Sequence, residues 1–235
     1  MVTYLNKHKR IIFTVTVIVF VVGIFFGLGA YIGGVTLKNT VAKVGNVRIP
    51  YDRYEINVRN VYDNFMRKNE KLEDNKVIEN MIRQEVFKDM IVSEILYQEA
   101  KKLKMGVSDY EVAMEVLNTQ GFYDNGKFNP ALYVRTIWSR YRMTPKEYEE
   151  WRKKERTVIN FKNFIYTTVK VCDDDMNFYK ELIDKKDIPK NNKEFMERIR
   201  QEKFLDVANY YLRELTTRIE IKDYRKNFEL DRSNS

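Results

Sequence analysis

IIFTVTVIVFVVGIFFGLGAYIGG, Ile11 to Gly34, is a run of 24 residues without a charge. As a helix it would be about 36 Å long, slightly more than the roughly 30 Å hydrocarbon core of a bilayer. No second apolar run of that length follows it. The stretch therefore decides how the chain is organised. Residues 1–10 read as a cytoplasmic tail and 11–34 as a single transmembrane helix, followed by about 200 residues of water-soluble protein, enough for one good core or two small ones.

A cleaved signal peptide has an apolar core of roughly 7–15 residues and small residues before the cut. Gly27 and Gly29 would suit a cut after Gly29, but the run is too long for that reading, and we take it as an uncleaved anchor. Lys7, Lys9 and Arg10 crowd its N-terminal flank, which favours that end staying in the cytoplasm and the rest lying outside. Lys38, Lys43, Arg48 and Arg53 follow the run but are spread out. Gly23/Gly27 and Gly29/Gly33 have the spacing of close-packed membrane helices. The two pairs do not share a face, and read as ordinary glycines of such a helix.

Three of the 42 basic residues precede the run, leaving 39 against 34 acidic ones beyond it, a net of +5. The two signs are interspersed, as in Glu149-Glu150-Trp151-Arg152-Lys153-Lys154-Glu155-Arg156. A nucleic-acid binder concentrates its positive charge; these clusters read as solvated helix faces, and no nucleic acid is expected. Cys172 is the only cysteine, so no intrachain disulfide forms, and the usual partners of a cysteine zinc site are missing. His8 is the only histidine and lies ahead of the run. The rest of the chain thus lacks the histidine of nucleophile triads, general bases and metal sites. There is no Gly-rich phosphate loop. No cofactor, metal or enzymatic activity is expected.

Val41-Ala-Lys-Val-Gly-Asn-Val-Arg-Ile49 alternates around a Gly-Asn turn signal and reads as a short strand or tight hairpin. A series of helices follows. The first opens at Pro50 to Asp52 and runs to about Lys68; the second spans about Asp74 to Met105. Ser108 with Glu111 makes a capping box for the third. Asn129-Pro130 opens the fourth and Thr144-Pro145-Lys146-Glu147 the fifth, to about Val169. Asp173 to Leu182 is a short sixth. Asn191 with Glu194 starts a last long helix to about Arg218, and Ile219 to Lys222 reads as a terminal strand. The polar stretch after Tyr224, residues 225–235, reads as a flexible tail.

In the second helix Ile78, Ile82, Val86, Leu96 and Ala100 share one side, with Lys76, Asn80, Arg83, Glu94 and Gln98 opposite. Phe87 projects among those polar residues, which implies contact with a neighbouring helix. In the last helix (191–218) Phe204, Ala208, Tyr211 and Leu215 recur at helical spacing. That face needs a partner, and the helices over 50–169 are the candidates, so 36–224 reads as one domain.

The order of these elements carries a family resemblance. Val41-Ala-Lys-Val-Gly-Asn-Val-Arg-Ile-Pro50 resembles the opening of SurA-like and PpiD-like bacterial chaperones. The segment from Asp89 through Gln98-Glu-Ala-Lys-Lys-Leu-Lys-Met-Gly-Val-Ser-Asp-Tyr-Glu-Val112 is similar to their long helix and the capped turn after it. Phe122-Tyr-Asp-Asn-Gly-Lys-Phe128 with Tyr133, and Met143-Thr-Pro-Lys-Glu-Tyr-Glu149, resemble two further motifs in the same order. The match covers about residues 36–170, and the anchor makes it closer to the PpiD-like branch. The resemblance implies a mainly α fold: a membrane anchor, then a multi-helix chaperone domain with short N- and C-terminal strands. In those families a parvulin-type prolyl isomerase domain of roughly 90 residues usually follows the helical domain. Here about 15 residues lead from Cys172 to the last helix, and no parvulin motif fits.

The function so implied is that of a membrane-anchored periplasmic chaperone-like protein without isomerase activity, held in the inner membrane. Its partners would be unfolded or nascent secreted and membrane polypeptides, the secretion translocon, and lipid through the anchor. A promiscuous binder needs apolar and aromatic surface. The chain has sixteen tyrosines, fourteen phenylalanines, two tryptophans and nine methionines. A candidate polypeptide-binding set clusters at Phe122, Tyr123, Phe128, Tyr133, Trp138, Tyr141, Met143, Tyr148 and Trp151. Singly, each reads as core; as a set, some would line a groove. The alternative is a non-chaperone, membrane-tethered scaffold that docks one fixed partner.

Overall fold

The computed structural model describes residues 39–69, 76–183, 189 and 191–228. The Ile11–Gly34 segment lies outside them, as do residues 229–235. Among the described residues no helix is long and apolar enough to cross a membrane. The described chain is mainly helical with a few short strands.

β1 (Thr40–Val44) and β2 (Val47–Pro50) form an antiparallel hairpin in which Val44 faces Val47. Gly45 turns it with a φ of +57°, a conformation open to glycine and strained for other residues. Its N–H donates to the Glu220 carbonyl at 2.8 Å. β5 (Ile221–Asp223) pairs with the other edge of β1, so the sheet order is β2-β1-β5. The first described strand therefore lies between its sequence neighbour and the last strand. Val41, Ala42 and Val44 have no exposed surface.

α1 (Tyr51–Lys68) leaves β2 directly and packs against α2 (Lys76–Lys102). Arg83 of α2 reaches Glu55 of α1 at 2.7 Å, and the Tyr54 hydroxyl donates to the Arg83 carbonyl at 3.1 Å. α3 (Asp109–Leu117), a 3-10 turn (Gln120–Phe122), β3 (Tyr123–Asp124), β4 (Lys127–Phe128) and α4 (Pro130–Tyr141) make a separate lobe. α5 (Pro145–Thr168) runs from that lobe back along α2. α6 (Asp173–Leu182) and α7 (Asn192–Arg218) complete the order.

Three apolar clusters hold these parts. The first joins the sheet to α1, α2 and Leu215 of α7. The second lies inside the lobe and includes Phe122, Tyr133, Ile137, Met143 and Tyr148. The third sets Leu96 and Ala100 of α2 against Val158 and Phe161 of α5, with Tyr211 and Leu212 of α7 packed on them. Fully burying side chains of this size stabilises by roughly 1.5–3 kcal/mol each.

The structure differs from the sequence reading at three places. Glu94, read on the polar side of α2, is only 2 % exposed. Its helix is flanked by the sheet, α5 and α7, so there is no solvent side at this level. The carboxylate pairs with Lys154 of α5, and Gln98 Nε2 donates to it at 2.8 Å and to the Val44 carbonyl at 3.1 Å. In α7, Leu215 is buried but Phe204, Ala208 and Tyr211 are only half-buried. The deepest residues are Phe195 and Ile199, on the other side of the helix, the side that Lys203 ties to Asp175 of α6 at 2.6 Å. The stretch after Tyr224, read as a tail, starts docked: the Tyr224 N–H donates to the Val41 carbonyl at 2.9 Å, and the Phe228 ring stacks on Tyr51 at 3.8 Å. The Arg225 guanidinium lies 3.8 Å from the centre of the Phe87 ring, which also meets Tyr54 edge-on.

Two stability outcomes are expected. Lys154→Met strands a buried carboxylate and should cost roughly 3–5 kcal/mol. Glu94→Gln keeps a hydrogen-bonding group in place and should cost only about 1 kcal/mol. Denaturant unfolding separates the two, and equal costs would show that the pair does not tie α2 to α5. The second outcome concerns alkaline pH. Burial, with a smaller push from Tyr141, raises the Tyr148 hydroxyl from 10.0 to about 12. The unfolded chain then releases that proton first, so the stability Tyr148 contributes is full below pH 10 and is lost as pH rises toward 12. Melting temperatures across that window should fall less steeply in Tyr148→Phe than in the wild type; parallel curves would refute the assignment.

Candidate functional site

The lobe is built from short elements with strong local signals. Ser108 and Glu111 form a reciprocal cap at the start of α3, with Glu111 Oε2 accepting from the Ser108 N–H at 2.9 Å. Thr144 and Glu147 repeat it at α5, and Pro145 occupies the first turn. Asn129 Oδ1 accepts from the Ala131 and Leu132 N–H groups at 3.0 and 3.1 Å and starts α4. Asn125 and Gly126 both take positive φ, +49° and +75°, and close the β3–β4 hairpin. α3 is clamped onto α5 by Lys153 with Asp109 at 2.6 Å and by Arg152 with Glu115.

These elements bring the nine sequence-derived residues into one place, but not onto one surface. Phe122, Tyr133, Met143 and Tyr148 are buried. Their rings meet edge-on: Phe122 to Tyr133 at 4.9 Å, Phe122 to Tyr148 at 6.2 Å and Tyr133 to Tyr148 at 6.0 Å. Such pairs add about 0.5–1.5 kcal/mol beyond the area they bury. The Tyr133 hydroxyl donates to Glu149 at 3.2 Å, and burial followed by the Glu149 charge holds its pKa well above the usual tyrosine range. Tyr141 and Trp151 extend the cluster as half-buried rings 5.3 Å apart. Tyr123 and Phe128 are half-buried at the hairpin, 6.0 Å apart. Trp138 alone of the nine is fully outward, 54 % exposed.

The outer surface beside the hairpin is continued by residues that the sequence reading did not select. Tyr110, Met114 and Leu117 are exposed on α3 at i, i+4 and i+7, and so share one face. Val112 and Val116 point the other way and are buried. The Leu117 carbonyl accepts from the Tyr123 hydroxyl, and Tyr123 meets Phe128 edge-on. An apolar rim thus runs from Tyr110 to Phe128. Its signal in the sequence was a second helical stripe on α3, beside the one that forms core. Next to the rim's hairpin end, an open depression of about 440 Å³ is lined by Asp124, Asn129, Ala131, Leu132 and Arg135.

Cys172 is exposed and caps α6, its thiol 3.0 Å from Asp175, which accepts from Lys203 as well. These partners explain it as a helix start. Among the described residues no three histidine, cysteine or acidic side chains stand close enough to hold a metal ion. The lobe's chemistry is that of apolar contact: a rigid aromatic interior carrying an outward row of tyrosine, methionine and leucine.

Residues 1–161 match the family model of the SurA-like N-terminal domain. The chain is 30 % identical over 154 residues to the periplasmic chaperone PpiD of Escherichia coli, a stretch covering 63 % of this chain and 24 % of that protein. It is 37 % identical over 54 residues to the periplasmic chaperone PpiD of Haemophilus ducreyi, covering 23 % of this chain and 9 % of that protein. It thus spans about a quarter or less of the curated relatives it matches. The helix caps at Ser108, Asn129 and Thr144, the Asn125-Gly126 hairpin and the aromatic lobe all fall inside the matched region, and the chain belongs to the SurA-like N-terminal domain family.

Proposed function

We propose that this protein is a membrane-anchored, extracytoplasmic chaperone-like protein that holds non-native or newly translocated polypeptides without isomerising their prolines. The observation that carries the reading is the rim of Tyr110, Met114, Leu117, Tyr123 and Phe128, in which Tyr110, Met114 and Leu117 are exposed outside the lobe's core and Phe128 packs on its edge. Methionine and tyrosine suit such a surface, because a flexible thioether and a flat amphipathic ring accept many apolar partners. Phe122, Tyr133, Met143 and Tyr148 serve this surface from behind, and Tyr141 and Trp151 brace the lobe against α5. The similarity to periplasmic chaperones supports the same role.

The remaining assignments belong to the same proposal. Ile11–Gly34 is the anchor, with residues 1–10 in the cytoplasm and 36–224 forming one domain on the periplasmic side. The clients are unfolded secreted or membrane polypeptides, and the secretion translocon is the partner that would deliver them. The absence of histidine after His8 is the reason to assign no isomerase activity.

The full chain held in lipid nanodiscs should suppress aggregation of several unrelated denatured proteins. Met114→Glu and Leu117→Glu should weaken that binding by about fivefold or more, near 1 kcal/mol, and leave the melting temperature almost unchanged. Phe122→Ala should instead cost roughly 3–5 kcal/mol of stability. Protection of none of the clients, with one fixed stoichiometric partner recovered from membranes, would favour a scaffold. A proline-limited refolding phase, which takes tens to hundreds of seconds uncatalysed, should not be accelerated by the same preparation; acceleration would overturn the non-enzymatic part of the reading.

A further inference from the structure

Trp138 is left unexplained by the rim. It is on α4, and Val134, one turn earlier on the same side, is 46 % exposed. The Arg142 guanidinium lies 6.0 Å from the Trp138 ring centre, on a residue held at a positive φ of +51°. Arg140, Arg142 and Lys146 are all exposed around this corner between α4 and α5. An outward tryptophan among arginines and lysines is the pattern of a water–lipid boundary, where an amphipathic ring and long cationic side chains both find partners.

The position of the corner is fixed by α1. Asn39, the first described residue, donates from its side chain to Asp52 at 2.8 Å, and its carbonyl accepts from the Tyr51 N–H at 2.9 Å. The next residue, Arg53, donates to the Tyr141 carbonyl at 2.6 Å, and Asn60 donates to the Arg140 carbonyl at 3.1 Å. Adjacent residues of α1 thus hold the point where the chain arrives and the corner that carries Trp138. The docked C-terminal segment returns to the same end through Phe228 on Tyr51, bringing the exposed Lys226 with it. Only residues 35–38 separate Gly34 from Asn39, an extended reach of at most roughly 18 Å. Of the acidic side chains at this end, Asp52 accepts from the Asn39 amide and Glu147 from the Thr144 hydroxyl.

We propose that the α4–α5 corner, Trp138 with Arg140, Arg142 and Lys146, rests on the headgroups of an anionic bilayer, so that the tether fixes the domain's orientation and not only its distance. This rests on the reading of Ile11–Gly34 as an anchor. In that orientation the α4 C-terminus lies against the membrane, and the hairpin end of the lobe, at the α4 N-terminus, points away from it toward arriving polypeptide.

The chain has two tryptophans, so Trp151→Phe leaves Trp138 as the only tryptophan, read by exciting at the red edge where tyrosine does not absorb. That variant, full-length, is reconstituted into vesicles of phosphatidylcholine with or without phosphatidylglycerol, carrying lipids brominated near the headgroup. Trp138 emission should be quenched, about twofold more strongly with the anionic lipid, and the excess should vanish in Arg140→Glu/Arg142→Glu and at high salt, where the screening length shortens to about 3 Å. The difference in quenching between the wild-type chain and Trp138→Phe gives the same reading without touching Trp151. Carbonate extraction of the same vesicles tests the anchor separately. Extraction of the chain would overturn both readings. A chain that resists extraction but shows unquenched Trp138, or Trp138 that responds only to added denatured polypeptide, would overturn this proposal alone.

Discussion

The structure depends on one strand being enclosed by both ends of the described chain. β1 is the centre of a three-stranded sheet whose outer strands are its immediate successor and the last strand. Its apolar residues are buried on both faces, so β1 cannot be satisfied by the hairpin alone. α7 must first run back along α2 and α5 before β5 can reach it. Gly45 sits at this junction: its N–H bonds to Glu220, and its φ of +57° is what disfavours a side chain there, since one would meet Gln98 and Ile219 only at ordinary contact distances of 3.4 and 3.7 Å. Gln98 in turn links the strand to Glu94 and so to Lys154. The sheet, the long helix and the lobe-bearing helix thus share one buried polar link. Such a link adds little net stability but penalises any arrangement that leaves its members unpaired.

This arrangement separates holding from displaying. The lobe and the start of α5 share an aromatic core, two ion pairs clamp α3 to α5, and the third cluster packs α5 on the body. An apolar surface can be exposed safely when the residues behind it do not depend on it. Tyr110, Met114 and Leu117 satisfy that condition, because Val112 and Val116 carry the core side of α3. The rim is small beside a stable protein–protein interface, which suits weak and repeated contact more than permanent assembly.

Helix starts were legible in the sequence because caps are local. Ser108, Asn129, Thr144 and Asn191 each bond a backbone N–H within three residues, and each was readable without knowing the fold. The Asn125-Gly126 hairpin is equally local, but strands of two residues are too short to show an alternating pattern. What failed was one-sided reading of helices with partners on more than one side. α2 is enclosed at Glu94, where a carboxylate finds a lysine from a helix 60 residues away in sequence. α7 turns one face to α6 and another to α2 and α5, so the stripe through Leu215 missed Phe195 and Ile199. The candidate residues fall together in one lobe, but the selection favoured rings that pack on one another, and aromatic density marks a core as readily as a groove.

The central claim is that the rim from Tyr110 to Phe128 meets many unrelated polypeptides. The most direct measurement places a photo-crosslinking amino acid at Met114 of the full chain in intact cells, with a second probe at Lys180 on α6 as the control. The account predicts a broad series of products from Met114, composed of different exported proteins, that fades when protein export is halted, and little from Lys180. A single product of fixed size from Met114, or the same broad series from both positions, would contradict it.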